Sequence, residues 1–434
     1  MMTAEPRTFL QSKFNLTVIL LVIFTTVFSW MNLNSWSIIL LVGCRLFFEN
    51  PQISIRKAFR NGLFLSYLIY GLVETAGFLH THHPAGQADM VAKDATLVAI
   101  AYVLCAGRFA NREGFRQLLT GYYIILVGAS VYCLIAAVQN YLNTGDTAVF
   151  FYHPLTRPIS QNAVFFSVYV VFGLLLVLSP DGNPAAHLSS PRIRAGVRIA
   201  VALFFTGMVV LLNSKLMLVI ALLILLNALF RKFSFRKNRR PLLVTGSILL
   251  TVILLLGMTD NPISSRYRDL AAGDLQVVRR ATFDRGMYFN PLQLRLLEWR
   301  FAFEILKSRN AWWFGVSPGD SQVLLDEKYV ATNMYIGNPA DGPHRKVRGF
   351  IGYNFHNQYL ETTVRDGIAG LLCLLIILGL QVRLAVRSGT PQALFVVSTI
   401  ILLFIPEAPL TMQHGIFLFC FFPPLLLYGP KNGQ

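Results

Sequence analysis

Residues 162–179 read NAVFFSVYVVFGLLLVLS, a run of eighteen positions without a charged side chain. A helix that crosses the apolar core of a bilayer needs about 20 such residues and tolerates about 17. The rest of the chain has the same character, with 54% hydrophobic and 14% charged residues and a mean hydropathy of +0.54. Soluble domains carry charge on about a quarter of their residues. The sequence therefore predicts an all-helical integral membrane protein.

About twelve stretches qualify as membrane spans. They are residues 14–30, 34–49, 59–79, 91–107, 117–141, 162–179, 196–213, 215–232, 241–258, 366–388, 391–407 and 411–429. Lys and Arg gather in alternate connections, most densely at 231–240, and the positive-inside rule assigns such connections to the cytoplasm. We therefore expect both termini in the cytoplasm and residues 259–365 on the opposite, outward side.

This pattern divides the chain into three predicted parts. Residues 1–258 hold spans one to nine, 259–365 form one large outward loop, and 366–434 hold the last three spans. A connection of this length is usually functional. We expect the loop, called the insert below, to be mainly helical and to carry the chemistry.

The net charge of +17 does not indicate a nucleic-acid partner, because Lys and Arg lie between apolar runs and form no single tail or stripe. The insert is nevertheless basic. Its cations are Arg266, Arg268, Arg279, Arg280, Arg285, Arg295, Arg300, Lys307, Arg309, Lys328, Arg345, Lys346, Arg348 and Arg365. Positive charge is normally scarce outside, so an anionic partner is one explanation and attraction to anionic headgroups is the other.

One helix is evident within the insert. Asn290 can cap it, Pro291 fits its first turn, and the helical pattern continues to Lys307. Arg295 and Trp299 are four residues apart and share a face. A guanidinium held there suits the oxygens of a phosphate, although an interfacial arginine that reaches toward water would have the same sequence.

His356 lies about ten residues before the tenth span and should sit at the outer membrane surface. Surrounding arginines disfavour its charged form, so we expect a neutral imidazole near pH 7 that can act as a general base. A structural histidine bonded to backbone is the alternative.

Two further cations open onto the outward face. Lys215 lies at the tight turn between two spans, and Arg157 precedes the sixth span. Ionisable residues at such places are functional candidates. His80, His82 and His83 are close in sequence but have no acidic or cysteine neighbour, and metal binding is the weaker interpretation. No Asp-x-Asp pair occurs, which disfavours metal activation of a phosphate leaving group.

Three blocks together resemble the O-antigen ligase and polymerase superfamily of bacterial inner membranes. The first runs from His356-Asn357-Gln358-Tyr359-Leu360 to Asp366-Gly367-Ile368-Ala369-Gly370. The second is Arg295-x-x-x-Trp299-x-x-Ala302 with Gly315-Val316-Ser317, and the third is Asn213-Ser214-Lys215. Lys215 stands where the family usually has Arg, and Ser317 stands where it has Gly.

The resemblance implies a GT-C-like glycosyltransferase that is inverting and independent of metal or cofactor. Its donor would be an undecaprenyl-diphosphate-linked glycan, and for a ligase the acceptor would be lipid A-core oligosaccharide, both reached from the periplasmic side of a Gram-negative inner membrane. Carried onto this chain, His356 would be catalytic and Lys215, Arg295 and Arg157 would bind the diphosphate. Asn357 and Arg300 would support them.

Other functions remain open at this point. O-antigen polymerases and protein O-oligosaccharyltransferases use the same donor chemistry and differ in the acceptor. A transporter or flippase for an anionic lipid-linked substrate would also be basic and rich in spans, but should carry charges near mid-bilayer on broken helices. We expect the bilayer, the donor and the acceptor as partners, without nucleic acid or an obligate protein partner.

Overall fold

A computed structural model describes residues 8–48, 50–107, 109–180, 182–186, 188–232, 274–337 and 349–430. These residues are helical wherever they form regular structure, with no strand among them. The helices are α1 (Lys13–Val27), α2 (Met31–Phe48), α3 (Pro51–Phe59), α4 (Gly62–Ala76), α5 (Pro84–Cys105), α6 (Arg112–Thr144), α7 (Tyr152–Thr156), α8 (Ala163–Val177), α9 (Pro191–Leu212), α10 (Lys215–Lys232), α11 (Pro291–Ser308), α12 (Pro318–Ala331), α13 (Gln358–Ser388), α14 (Pro391–Leu403) and α15 (Gln413–Leu427). The all-helical prediction is confirmed.

Five of the described helices are long and apolar enough to cross a membrane. They lie at Met31–Phe48, Gly62–Leu79, Arg112–Thr144, Pro191–Leu212 and Gln358–Ser388. A sixth candidate joins Tyr152–Ile159 to Ala163–Val177 across an 84° bend. Shorter apolar helices overlap other predicted spans, while the predicted span 241–258 lies outside the described residues. The chain is a multi-pass membrane protein; the count of twelve and the GT-C-like class stay predictions.

The chain divides into two compact units. The first comprises residues 1–54, 107–267 and 425–434, and the second comprises 55–106 and 268–424. The second unit therefore combines most of the insert with helices from before and after it. The predicted three-part division by sequence order stays a prediction.

Helix α8 is the central element of the first unit. All of its residues from Ala163 to Val177 are buried, and it packs against α6, α9 and α10. The hydroxyl of Tyr122 on α6 donates a 2.7 Å hydrogen bond to the carbonyl of Tyr169 on α8. An uncharged run that is apolar on every side is thus buried between other helices, as expected for a helix without a polar face.

The described part of the insert folds onto helices of the second unit. Helices α11 and α12 pack against each other and against α13, which also contacts α4 and α14. Their shared core includes Phe301, Leu325, Phe355 and Val364. The capping residue Asn290 accepts hydrogen bonds from the N–H groups of Leu292 and Gln293 at the start of α11, as the sequence predicted.

Helix α13 is kinked where it enters its apolar section. Gly367 has φ of +67°, a conformation that favours glycine. A Cβ atom at this position would lie 2.2 Å from the carbonyl carbon of Trp313. The N–H groups of Ile368 and Ala369 donate to the carbonyl oxygens of Trp312 and Trp313, at 2.8 and 3.3 Å. The turn after α11 therefore fills the break in α13.

Candidate active site

His356 and Glu298 form an acid and imidazole pair in the second unit. Nδ1 of His356 lies 2.8 Å from Oε2 of Glu298. The glutamate side chain is fully buried, whereas 24% of the histidine side chain is exposed. With Nδ1–H donating to the carboxylate, Nε2 keeps its lone pair. Nε2 has no hydrogen-bond partner within the described ranges, so it is the atom available to a substrate.

A chain of hydrogen bonds, called the relay below, runs from Tyr329 through Glu298 to His356. The Tyr329 hydroxyl donates a 3.1 Å hydrogen bond to Oε1 of Glu298, so both carboxylate oxygens are engaged. Burial raises the pKa of Glu298, and the hydrogen bonds from His356 and Tyr329 only partly oppose that rise. The relay fixes the tautomer and the orientation of the imidazole, as a carboxylate partner does in other acid–base sites.

The pKa of His356 departs from expectation. Burial would lower the pKa, but the hydrogen bond and negative charge of Glu298 outweigh burial and raise it above its ordinary value. Arg295 lowers it only as a smaller contribution. The expectation that surrounding arginines disfavour the charged imidazole was therefore wrong, because the carboxylate of Glu298 affects this pKa more strongly than Arg295 does. A raised pKa makes His356 a stronger base.

Two asparagine side chains accept hydrogen bonds from backbone N–H groups at or near His356. His356 has a φ of +44°, in the left-handed region that few residues other than glycine adopt. The side-chain oxygen of Asn354 accepts a 2.9 Å hydrogen bond from the His356 N–H. The side-chain oxygen of Asn357 accepts one from the N–H of Leu360 and caps α13. Asn357 thus fixes where the helix begins; its supporting part in catalysis stays a prediction.

Arg295 lies close enough to the pair to affect the pKa of both His356 and Glu298, but its guanidinium is already engaged. Nη2 pairs with Oε1 of Glu407 at 2.8 Å, and Nε donates to the carbonyl of Pro406 at 2.9 Å. The side chain remains 26% exposed. Arg295 therefore ties α11 to the connection after α14, and its predicted binding of a diphosphate stays a prediction.

Gln358 secures the same connection from the other side. Its backbone N–H donates a hydrogen bond shared between the carbonyls of Phe404 and Glu407. Its side-chain oxygen accepts a 2.8 Å hydrogen bond from the N–H of Leu410. The residue after Asn357 thus positions the segment that carries Glu407. Residues 404–410 and the His356 turn form one fixed assembly.

Arg300 contacts the start of the described insert. Its Nε pairs with Glu304 at 2.8 Å, and Nη1 donates to the carbonyl of Arg280 at 2.7 Å. The bond to Arg280, together with one from Nη1 to the carbonyl of Val278, holds the short 3-10 helix Leu275–Arg279 against α11. The observed contacts of Arg300 are structural. Its predicted support of substrate binding stays a prediction.

Arg157 and Lys215 belong to the first unit. Arg157 is exposed and begins the short 3-10 helix Arg157–Ile159 at the 84° bend before α8. Lys215 begins α10 directly after the break at Asn213, whose φ is +46°. Each predicted cation therefore lies at a helix break, where backbone groups are also available to a ligand. Their convergence with Arg295 and His356 stays a prediction.

Two of the histidines near residue 80 have an acidic partner, Asp320, that is distant from them in the sequence. Nδ1 of His83 lies 2.7 Å from Oδ1 of Asp320, and Nδ1 of His82 lies 3.2 Å from Oδ2. The expectation of no acidic neighbour was wrong, because the fold brings α12 to this loop. Within the described ranges, no group of three or more His, Cys, Asp or Glu side chains has the arrangement of a metal site.

Arg365, counted among the outward cations, is buried with 1% of its side chain exposed. Its Nη2 pairs with Glu74 on α4, and Asp94 lies 4.0 Å away. The hydroxyl of Tyr70 donates to the other oxygen of Glu74 at 2.9 Å. This cation joins α13 to α4 and α5, so it is not available to an anionic partner.

Glu298 is the site residue that sequence reasoning missed. It lies in α11 among Leu294, Leu297, Phe301 and Ile305, which share the buried face of the helix. A carboxylate within a hydrophobic stripe of helical period is costly unless it is paired. A glutamate at a position where the helical pattern predicts an apolar residue was therefore the feature of the sequence that could have identified Glu298.

The geometry described so far defines a helical membrane protein with a carboxylate-supported histidine at the end of a span. Residues 200–375 match a family model described as O-antigen ligase. The match over these residues confirms the resemblance drawn from the sequence. The match contains Lys215, Arg295, Glu298 and His356 and ends before Glu407. No curated protein matched the chain.

Proposed function

We propose that this protein is a glycosyltransferase of the O-antigen ligase type. It transfers a glycan from undecaprenyl diphosphate to a hydroxyl of lipid A-core oligosaccharide at the periplasmic face of the inner membrane. The observation that carries the proposal is the buried relay from Tyr329 through Glu298 to His356, which leaves Nε2 as the free base. The family match over residues 200–375 supports the donor class.

In the proposed reaction, Nε2 of His356 takes the proton of the acceptor hydroxyl as its oxygen attacks the anomeric carbon of the glycan. The bond between that carbon and the diphosphate oxygen breaks, and undecaprenyl diphosphate leaves with the electron pair. Attack opposite the leaving group inverts the configuration. Glu298 stabilises the imidazolium that forms, because its buried carboxylate already accepts a hydrogen bond from Nδ1–H.

The departing diphosphate needs cations that are in place before the reaction. Lys215, Arg157 and Arg295 are the proposed donors, and no metal is required in this scheme. A well-placed donor of this kind contributes about 3–4 kcal/mol to transition-state stabilisation. Arg295 would contact the diphosphate with the exposed part of its guanidinium while Glu407 and Pro406 hold the rest.

The test is reconstitution of the purified protein with a lipid-linked glycan donor and lipid A-core. We expect His356→Ala to lose transfer by about 10²-fold or more. Lys307→Ala, which removes an exposed cation of the same insert, should retain it. Growth of the donor glycan without transfer to core would refute the ligase assignment and favour a polymerase. Full transfer by His356→Ala, with Lys215→Ala impaired only in translocation, would refute the enzyme and favour a transporter.

A further inference from the structure

A cavity lies in the second unit, and none of the residues that line it belongs to the candidate active site. It has a volume of about 470 Å³, and its polar lining comes from His80, His82, His83, Arg309, Asp320 and Glu327. We call it the histidine cavity. Asp320 and Glu327 are seven residues apart on α12 and share one helix face. Tyr329, which contacts Glu298, lies on the opposite face of α12, so the helix separates the cavity from the catalytic relay.

The histidine cavity lies where two candidate spans end. His80 directly follows the span Gly62–Leu79. The carbonyls of Trp312 and Trp313, just before the cavity residue Gly315, accept hydrogen bonds from the N–H groups of Ile368 and Ala369, where the apolar section of α13 begins. The ends of spans lie in the headgroup layer of a bilayer. The cavity is therefore placed at the depth of lipid headgroups.

Exposed aromatic and apolar residues are sequence neighbours of the cavity residues His80, Ala311 and Gly315. Trp312, Trp313 and Phe314 are 37%, 68% and 74% exposed, and Leu79 is 88% exposed. Aromatic rings are enriched at the membrane interface, where one edge meets headgroups and the other meets hydrocarbon. These side chains can therefore contact acyl chains while the cavity receives a headgroup.

The charges inside the cavity are of both signs. Within the part of the chain that the structure describes, neither the guanidinium of Arg309 nor the carboxylate of Glu327 has an ion-pair partner. His82 and His83 are held in place by Asp320. A guanidinium that lines the same cavity as imidazoles suits a phosphate, and an unpaired carboxylate suits an ammonium group. One small cavity thus offers both halves of a zwitterionic headgroup site.

We propose that the histidine cavity binds the headgroup of phosphatidylethanolamine from the surrounding bilayer. Arg309 and the neighbouring imidazoles receive the phosphate, Glu327 receives the ammonium, and the aromatic turn Trp312–Phe314 contacts the chains. A phosphate-only lipid lacks the second contact, so the site prefers the zwitterionic lipid. The proposal does not depend on the transfer reaction, because its measure is lipid binding.

The experiment measures lipid binding to the full-length protein by native mass spectrometry. Phosphatidylethanolamine and phosphatidylglycerol with identical acyl chains are compared. We expect Arg309→Ala to weaken binding of both lipids about tenfold or more, which corresponds to about 1.4 kcal/mol. Lys307→Ala, a cation at the same helix end outside the cavity, should change binding less than about twofold.

The ammonium contact is tested separately. Glu327→Gln should weaken phosphatidylethanolamine binding and leave phosphatidylglycerol unchanged, so the ratio of their affinities falls toward one. Asp284→Asn, a similarly exposed carboxylate outside the cavity, should not change that ratio. Equal loss in Arg309→Ala and Lys307→Ala would overturn the site. A ratio unaffected by Glu327→Gln would overturn the choice of headgroup. Free phosphoethanolamine that bound as tightly as the lipid would overturn the membrane source.

Discussion

Oε2 of Glu298 and Nδ1 of His356 lie 2.8 Å apart although 58 residues separate them in the chain. One belongs to a helix of the insert and the other to the turn that begins α13. The base and the group that orients it thus come from different elements. Packing of α11 on α13 is what assembles the pair.

The first prediction concerns Glu298→Gln and the pH dependence of transfer. Glu298 raises the pKa of His356, and the base must be unprotonated at Nε2 to act. Loss of the carboxylate should lower that pKa and move the rising limb of the pH–rate profile to lower pH. The maximal rate should fall about 10²-fold or more, because the imidazolium loses its stabilising charge. Initial rates of glycan transfer measured across pH provide the test.

The control for this change is Glu304→Gln. Glu304 lies on the same helix, pairs with Arg300 and Lys328, and is 38% exposed. Its replacement should leave the rising limb where it is. An unshifted profile in Glu298→Gln, with the variant folded by circular dichroism, would contradict the proposed relay.

A second prediction separates the structural and catalytic parts of Arg295. Arg295→Ala leaves Glu407 without its partner and should lower the free energy of unfolding by about 1–3 kcal/mol. Arg295→Ala combined with Glu407→Gln removes the unpaired charge and should recover much of that loss. If Arg295 also binds the diphosphate, the double variant stays inactive. The test measures thermal unfolding and the rate of glycan transfer for the single and the double variant. If the double variant recovered activity together with stability, Arg295 would not contact the diphosphate.

A third prediction compares two glycines of α13. Gly367→Ala forces a side chain into a positive φ and against the backbone of Trp313, so we expect loss of the folded protein. A Cβ atom at Gly379, on the same helix, would meet no neighbouring element of the described chain within 4 Å, so Gly379→Ala should be neutral or stabilise by up to about 1 kcal/mol. Yield and melting temperature after purification distinguish the two. Equal behaviour would mean that the kink at Gly367 tolerates a side chain.

A fourth prediction concerns the buried partner of Arg365. Glu74→Gln removes the carboxylate that pairs with this guanidinium and leaves it with the more distant Asp94, at 4.0 Å, and with the charge of Asp366. Removing one partner of a buried pair costs about 3–5 kcal/mol. Asp89→Asn breaks an exposed pair with Lys93 and should cost less than about 1 kcal/mol. Comparable melting temperatures for the two variants would show that the buried pair contributes no more than the surface one.

The sequence predicted those features that local chemistry determines. Asn290 and Pro291 marked the start of α11, and Asn213 marked the break between α9 and α10, since capping and turn preferences act over a few residues. Apolar runs located the described candidate spans because a membrane span needs about 20 largely apolar residues in succession. Ser317 adopts a φ of +86°, so the turn keeps the conformation expected of the family's glycine.

Contacts between distant residues could not be predicted in this way. Asp320 meets His83 across 237 residues, and Arg365 meets Glu74 across 291. No local pattern encodes such pairs, because they depend on how the helices pack. Arg295 shows the same limit, since its position on the helix was evident but its partner Glu407 was not.

The break in α13 has a consequence for engineering this protein. Two amide groups released by the kink are satisfied by Trp312 and Trp313, which lie in another element of the chain. A chimera that exchanged residues 259–365 as a cassette would remove those acceptors, and each buried N–H group left without a partner costs about 1–3 kcal/mol. A transplantable module must therefore extend through the first turns beyond Gly367, so that acceptors and donors travel together.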